Sequence, residues 1–185
     1  MFIIFIVTFI GIMGFGIILP LLPFYAERLG AGPEIITLTM AVFSLGQFFA
    51  APFWGRVSDS IGRKKVIIIS LFGAAMSYIL LAFADTLTLV ILSRGIAGLM
   101  AGNISIAFAY VTDITDEKDR SAGLGKVSAA LGLGFMAGPA IGGFLAGSDV
   151  ENANYVLTAK AGASLSVLAL VGTIFFLKES LEPSK

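Results

Sequence analysis

Residues 55–65, GRVSDSIGRKK, place Arg56, Asp59, Arg63, Lys64 and Lys65 between long apolar runs. Asp59 and Arg63 are four apart, so on a helical turn the carboxylate meets the guanidinium. An exposed pair of this kind contributes about 0–1 kcal/mol, weak enough to break and re-form. Arg94 is a different case, the sole charge deep inside an apolar run. A charge at mid-membrane costs about 2.5–3.5 kcal/mol on insertion scales, and such residues face a bundle interior or a transport pathway. Arg94 therefore reads either as a coupling or substrate-binding group or as a guanidinium bonded to neighbouring carbonyls. Gln47 and Asn103 are the other polar candidates within the runs, as cavity groups or as interhelical hydrogen bonds. The chain has no Cys and no His. That excludes disulfides and thiolate metal sites, and it removes the commonest general base and metal ligand. The expected chemistry is binding and charge pairing, with no cofactor, no metal and no catalytic residue.

The elements that hold these residues are membrane spans. The 185 residues are 57% hydrophobic and 13% charged, against about 45–50% and about 25% in soluble domains. The net charge of zero gives no reason to expect a nucleic acid; the lipid bilayer is the expected surrounding. Runs long enough to cross a membrane fall at roughly 3–25, 34–54, 66–84, 88–111, 122–147 and 154–177. The breaks between them are too short for a separate soluble domain. The fold expected is an all-α membrane protein, one six-helix transmembrane bundle over residues 1–185. The first run lacks a basic leader and is too long for a signal-peptide core, so it reads as a retained helix. Lys and Arg gather on one side: Arg56, Arg63, Lys64, Lys65, Lys118, Arg120, Lys126, Lys178 and Lys185, against Arg28 and Lys160. By the positive-inside rule, both termini, the 55–65 segment and the 113–121 segment are predicted to be cytoplasmic. Residues 55–65 then read as a hairpin loop, and the setting as a bacterial inner membrane.

Within the spans, Gly134, Gly138 and Gly142 recur every four residues and make a groove for a partner helix. Pro139 removes a backbone donor there and bends the helix. The stripe Arg94, Ala97, Gly98, Ala101, Ser105 predicts one closely packed helical face. Phe15, Phe43, Phe48 and Met136 are candidates for an oily pocket. AAPFWG in the second run and AGPAIG in the fifth share small-small-Pro-x-x-Gly, a trace of an inverted repeat.

Residues 55–65 resemble the signature loop of the major facilitator superfamily, Gly-x-x-x-Asp-x-x-Gly-Arg-Lys, through Gly55, Asp59, Gly62, Arg63 and Lys64. GFGIILPLLP (14–23) looks like the first-helix motif of drug antiporters. LSRGIAGLMAGN (92–103) is similar to the fourth-helix motif with its embedded Arg. GFMAGPAIGG (134–143) resembles the fifth-helix antiporter motif, through Gly134, Gly138, Pro139, Gly142 and Gly143. The likeness is to drug:proton antiporters, the tetracycline exporters among them. It implies the N-terminal six-helix half of a transporter, with a 3+3 inverted repeat, exchanging a drug or small molecule for protons by alternating access. It adds Asp113 as a second carboxylate for Arg63, giving an Asp59–Arg63–Asp113 latch across helices two to four. Gly55 and Gly62 would let backbones approach there, and the fifth helix would line the cavity. Two departures stand out: six helices where the superfamily usually has twelve, and Gly11 where tetracycline exporters carry an acid. A second six-helix half is the implied partner, as a C-terminal half or a second copy related by a two-fold axis along the membrane normal. The face awaiting it would carry Arg94 or Asn103, Gln47 and the fifth-helix groove. Two alternatives are a sugar or metabolite facilitator half, and a six-helix membrane protein without transport of its own; the ending LKESLEPSK, where an inter-half linker would begin, speaks for the second.

Overall fold

The computed structural model describes residues 1–147 and 153–181. Ser148 and Lys185, at the predicted outer turn and the C-terminus, lie outside them. Eight helices among the described residues make six spans. The first consists of α1 (Phe2–Ile18) and α2 (Leu22–Arg28), the second of α3 (Pro33–Ile61), and the third of α4 (Arg63–Ala82). The fourth joins α5 (Leu87–Leu99) to α6 (Asn103–Ile114); α7 (Glu117–Ala146) and α8 (Tyr155–Phe176) are the fifth and sixth.

Two helices run well past the predicted boundaries. α3 has 29 residues and α7 has 30, about 44 Å at 1.5 Å per residue, against a hydrocarbon layer of about 30 Å. Their polar ends stand clear of lipid and stay helical. Residues 55–65 are therefore not a hairpin loop: the last turns of α3 reach Ile61, Gly62 alone forms the joint, and Arg63 starts α4. Gly62 has φ 109°, a conformation that side chains with a Cβ rarely adopt. The 113–121 segment likewise shrinks to Thr115 and Asp116. Glu117 and Asp119 occupy the first turn of α7, where negative charge suits the helix dipole.

The first span packs on the fifth and sixth, the fourth on the second and third, and the third on the sixth. Exchanging the first three spans for the last three leaves this pattern unchanged. The first and fourth spans are both interrupted, and the second and fifth each contain one internal proline, Pro52 and Pro139. This is the 3+3 inverted repeat.

Buried side chains form two cores. One, around Ile17, Tyr25, Tyr78, Leu81 and Tyr155, lies at the end away from the charged joint. There the Tyr25 hydroxyl donates to the carbonyls of Leu81, at 3.1 Å, and Ala84, at 2.5 Å. The second core, around Ile4, Ile67, Leu71, Ile106 and Val127, lies toward the charged end.

The fourth span breaks because of a tertiary contact. The Trp54 indole N–H donates to the Leu99 carbonyl at 2.6 Å, the carbonyl that a continuous helix would give to the Asn103 N–H. The chain turns through Met100–Gly102, and Gly102 sits so close to Trp54 that an added Cβ would lie 2.6 Å from the Trp54 Cβ. The predicted stripe from Arg94 to Ser105 is accordingly interrupted.

Candidate functional site

At the charged end, the Arg63 side chain spans three helices. Its Nη1 lies 2.6 Å from Asp59 Oδ1, within the α3–α4 corner, and its Nε donates to Asp113 Oδ2 at 3.0 Å, near the end of α6. Nη1 also donates to Ser58 Oγ at 2.5 Å. Asp59 is 63% exposed and Asp113 27%, so Asp113 holds the better shielded bond. Lys64 turns the other way, donating from Nζ to the Ile174 carbonyl at 2.8 Å. A cation there complements the negative end of α8.

Sequence reasoning missed the segment after α8. Glu179 Oε1 accepts from the Arg63 backbone N–H at 2.8 Å, capping a helix that has no cap of its own. Ser180 Oγ donates to Asp113 Oδ2 at 3.1 Å, and the Tyr110 hydroxyl donates to the Lys178 carbonyl at 2.9 Å. The acid in LKESLEPSK, just past the sixth apolar run, was the available signal. The two signature glycines differ from expectation. A Cβ at Gly55 would meet open space, so no backbone approach requires that glycine; at Gly62 it would meet the Glu179 carboxylate.

Between the two cores lies a cavity of about 120 Å³. Gly11, Phe15, Phe43, Gln47, Tyr78 and Asn103 face it, with Phe135, Met100 and Ala101. Phe15 stacks on Phe43 with centroids 5.0 Å apart, and Phe135 meets Phe15 edge-on at 5.9 Å. Phe48 and Met136 do not belong to it; they are 71% and 69% exposed on the outside of the bundle. The fifth helix contributes Phe135 from its other side.

The fifth-helix groove is already filled. A Cβ at Gly134 would press on Ile12, at Gly138 on Gly16, and at Gly142 on the Ile17 carbonyl, all in α1. Pro139 also touches the Gly16 site, whereas a Cβ at Gly143 would meet open space. The groove is thus not on a face awaiting a partner, because the inverted repeat seats the first span there. Nor is Arg94 on such a face. It is 2% exposed, with its guanidinium carbon 5.6 Å from the centre of the Tyr78 ring. Among the described residues nothing accepts a hydrogen bond from its Nε or Nη2.

Interrupted spans, a mid-bundle cavity and an inverted repeat are hallmarks of secondary transporters. The sequence profile of the Major Facilitator Superfamily matches residues 4–185. The chain belongs to that superfamily. It is a family of membrane transporters, not of enzymes. Multidrug resistance protein 2 of Bacillus subtilis (strain 168) is 34% identical over 94% of this chain and 42% of its own length. The class B tetracycline resistance protein of Escherichia coli is 32% identical over 95% of the chain and 43% of its own length. The crystal structure of the human organic anion transporter MFSD10 (TETRAN) superposes with a TM-score of 0.81 at 26% identity, covering 97% of this chain and 47% of that one. The chain thus spans less than half the length of these facilitator relatives.

Proposed function

We propose that this chain is the six-helix half, residues 1–185, of an inner-membrane antiporter that exchanges a drug-like small molecule for protons by alternating access. The carrying observation is the mid-bundle cavity, apolar through the stacked Phe15 and Phe43 rings with Phe135 edge-on, and given direction by the carboxamides of Gln47 and Asn103. Ligand sites combine an oily wall with a few placed polar groups in this way. Relatives named for multidrug, tetracycline and quinolone resistance favour a drug over a sugar. The Asp59–Arg63–Asp113 network is the gating latch in this reading, with its end of the bundle cytoplasmic. A second six-helix half, on a longer chain or in a second copy, completes the pathway. It covers the outer faces of α3 and α7, where Phe48, Phe49, Met136 and Phe144 are exposed.

Reconstituted vesicles test this. Tetracycline movement that follows an imposed proton gradient and stops with a protonophore is the expected result; movement indifferent to the gradient would overturn antiport. Cys at exposed Ser60, in a chain without other Cys, fixes the orientation. Labelling by an impermeant reagent outside intact cells would reverse it.

A further inference from the structure

The interruptions of the first and fourth spans have different causes. In the first span the chain itself forbids a continuous ladder: Pro20 and Pro23 have no N–H to give to the carbonyls of Gly16 and Leu19. Nothing of that kind stands at the fourth-span break. Met100–Gly102 contains no proline, and its torsions stay close to helical. They are φ −95° and ψ 0° at Met100, and φ −76° and ψ −12° at Gly102, against about −63° and −42° in an α-helix. The ladder slips, with the Ala101 N–H on the Gly98 carbonyl at 3.1 Å, and resumes with the Ile106 N–H on the Gly102 carbonyl at 3.3 Å. Among the described residues no backbone carbonyl accepts from the Asn103 N–H; Trp54 holds the one that would.

The hold is steric as well as polar. Besides its 2.6 Å bond to the Leu99 carbonyl, Trp54 is seated against Gly102, where an added Cβ would lie 2.6 Å from both Trp54 Cβ and Cδ1. Gln47 lies about two turns back on the same face of α3 and lines the cavity, as do Met100, Ala101, Asn103 and Ile104 around the break. Closing the ladder would exchange the Trp54–Leu99 bond for an Asn103–Leu99 bond, so the Leu99 carbonyl keeps a donor either way. Trp54 is only partly buried, so its freed N–H is not sealed in. Two arrangements that differ by one exchanged hydrogen bond and modest torsion changes are close in free energy, which is what a two-position element requires.

We propose that Trp54 is a positioning residue whose indole N–H is a releasable catch. Engaged, it keeps the fourth span bent at the cavity. Released, it lets the span straighten and carries Met100, Ala101 and Asn103 to new positions in the cavity wall, while the proline-broken first span stays bent. The inverted repeat thus has one fixed joint and one movable joint. The part this joint plays in transport rests on the antiport reading; the catch itself does not.

Hydrogen exchange of the Asn103, Ile104 and Ser105 amides, resolved residue by residue on the protein in lipid nanodiscs, reads the joint. Trp54→Phe keeps a ring and removes the donor. Exchange at Asn103 is expected to slow about tenfold, the scale of one hydrogen bond. Benzothienylalanine in place of this sole tryptophan keeps the shape without the N–H; it should act alike, and it decides the matter if the Phe variant does not fold. Adding Asn103→Pro to Trp54→Phe removes the N–H that closes the ladder, at a first helical position where proline is tolerated. Exchange at Ile104 and Ser105 should then stay at the parental rate. Exchange at Asn103 that is unchanged or faster without the indole N–H would overturn the catch. In vesicles, Asn103→Pro should move tetracycline several-fold more slowly than Asn103→Ala, which also lacks the carboxamide but keeps the N–H. Equal movement would overturn the joint's part in transport. A parent protein that moves no tetracycline refutes antiport, and the exchange rates still decide the catch.

Discussion

Arg63 ends on two carboxylates and a serine hydroxyl at the edge of the bundle, while Arg94 is sealed inside it with two nitrogens unmatched. The difference separates two uses of one side chain. At the edge, water reaches Asp59 and weakens its bond, while Asp113 keeps the better shielded one. In the interior, an unmatched cation is costly, and among the described residues Arg94 meets that cost only through the Tyr78 ring face. In the proposed reading Arg63 is the latch, whereas Arg94 is a sealed cation against the Tyr78 ring.

The sharpest way to break this contrast is to give the interior an acid of its own. A Cβ at Gly11 would face the cavity, 3.7 Å from Asn103 Nδ2 and 3.6 Å from Leu71 Cδ2, in ordinary contact with both. Gly11→Asp adds a negative charge to the cavity wall without a clash at that atom. Proton-driven tetracycline movement per inserted protein is expected to rise several-fold, since the change supplies a titratable carboxylate at mid-span, where the described helices hold none. Unchanged movement would show that an acid at this point of the cavity wall does not couple to protons.

A middle-sized effect is expected at the edge. Asp113→Asn removes the better shielded partner of Arg63 and leaves Asp59 in place. Efflux per inserted protein should drop several-fold, while thermal unfolding shifts by under about 1 kcal/mol. Asp59→Asn, at the more exposed carboxylate, should act the same way but less. Were both variants to transport normally, the network would serve only to orient the chain in the membrane.

The smallest effect belongs to Glu179→Gln. It keeps an acceptor for the Arg63 N–H but removes the negative charge from the start of α4, worth about 0.3–1 kcal/mol by the helix-dipole effect. High salt should erase the difference between variant and parent in a denaturation series, because the group is exposed and screened. A difference that survives high salt would assign Glu179 a packing role instead.

The six spans were legible because each is a long apolar run, and lipid tolerates little else. Their ends were not. Reading charge as loop cut α3 short at residue 54 and started α7 at 122, although both helices continue into water on polar residues that favour helix well enough. The Asp59–Arg63 contact followed from spacing. Asp113 came only from family likeness, since 50 residues separate it from Arg63 and no local pattern joins them. The break in the fourth span had no signal within itself: Met100–Gly102 contains no proline, and the cause, Trp54, lies on another span. The burial of Arg94 and the filling of the fifth-helix groove were hidden for the same reason, because Tyr78 of the third span lies against the one and the first span fills the other.

Trp54 has one more use. It is the only tryptophan in the chain, and its indole N–H is tied to the carbonyl at the break in the fourth span. Its emission therefore reads out that one joint with no label attached. If the joint straightens at any stage of the transport cycle, Leu99 returns to the helix, the indole loses its acceptor and the emission colour moves. A stopped-flow trace on the unmodified protein would then time the opening and closing of the fourth span.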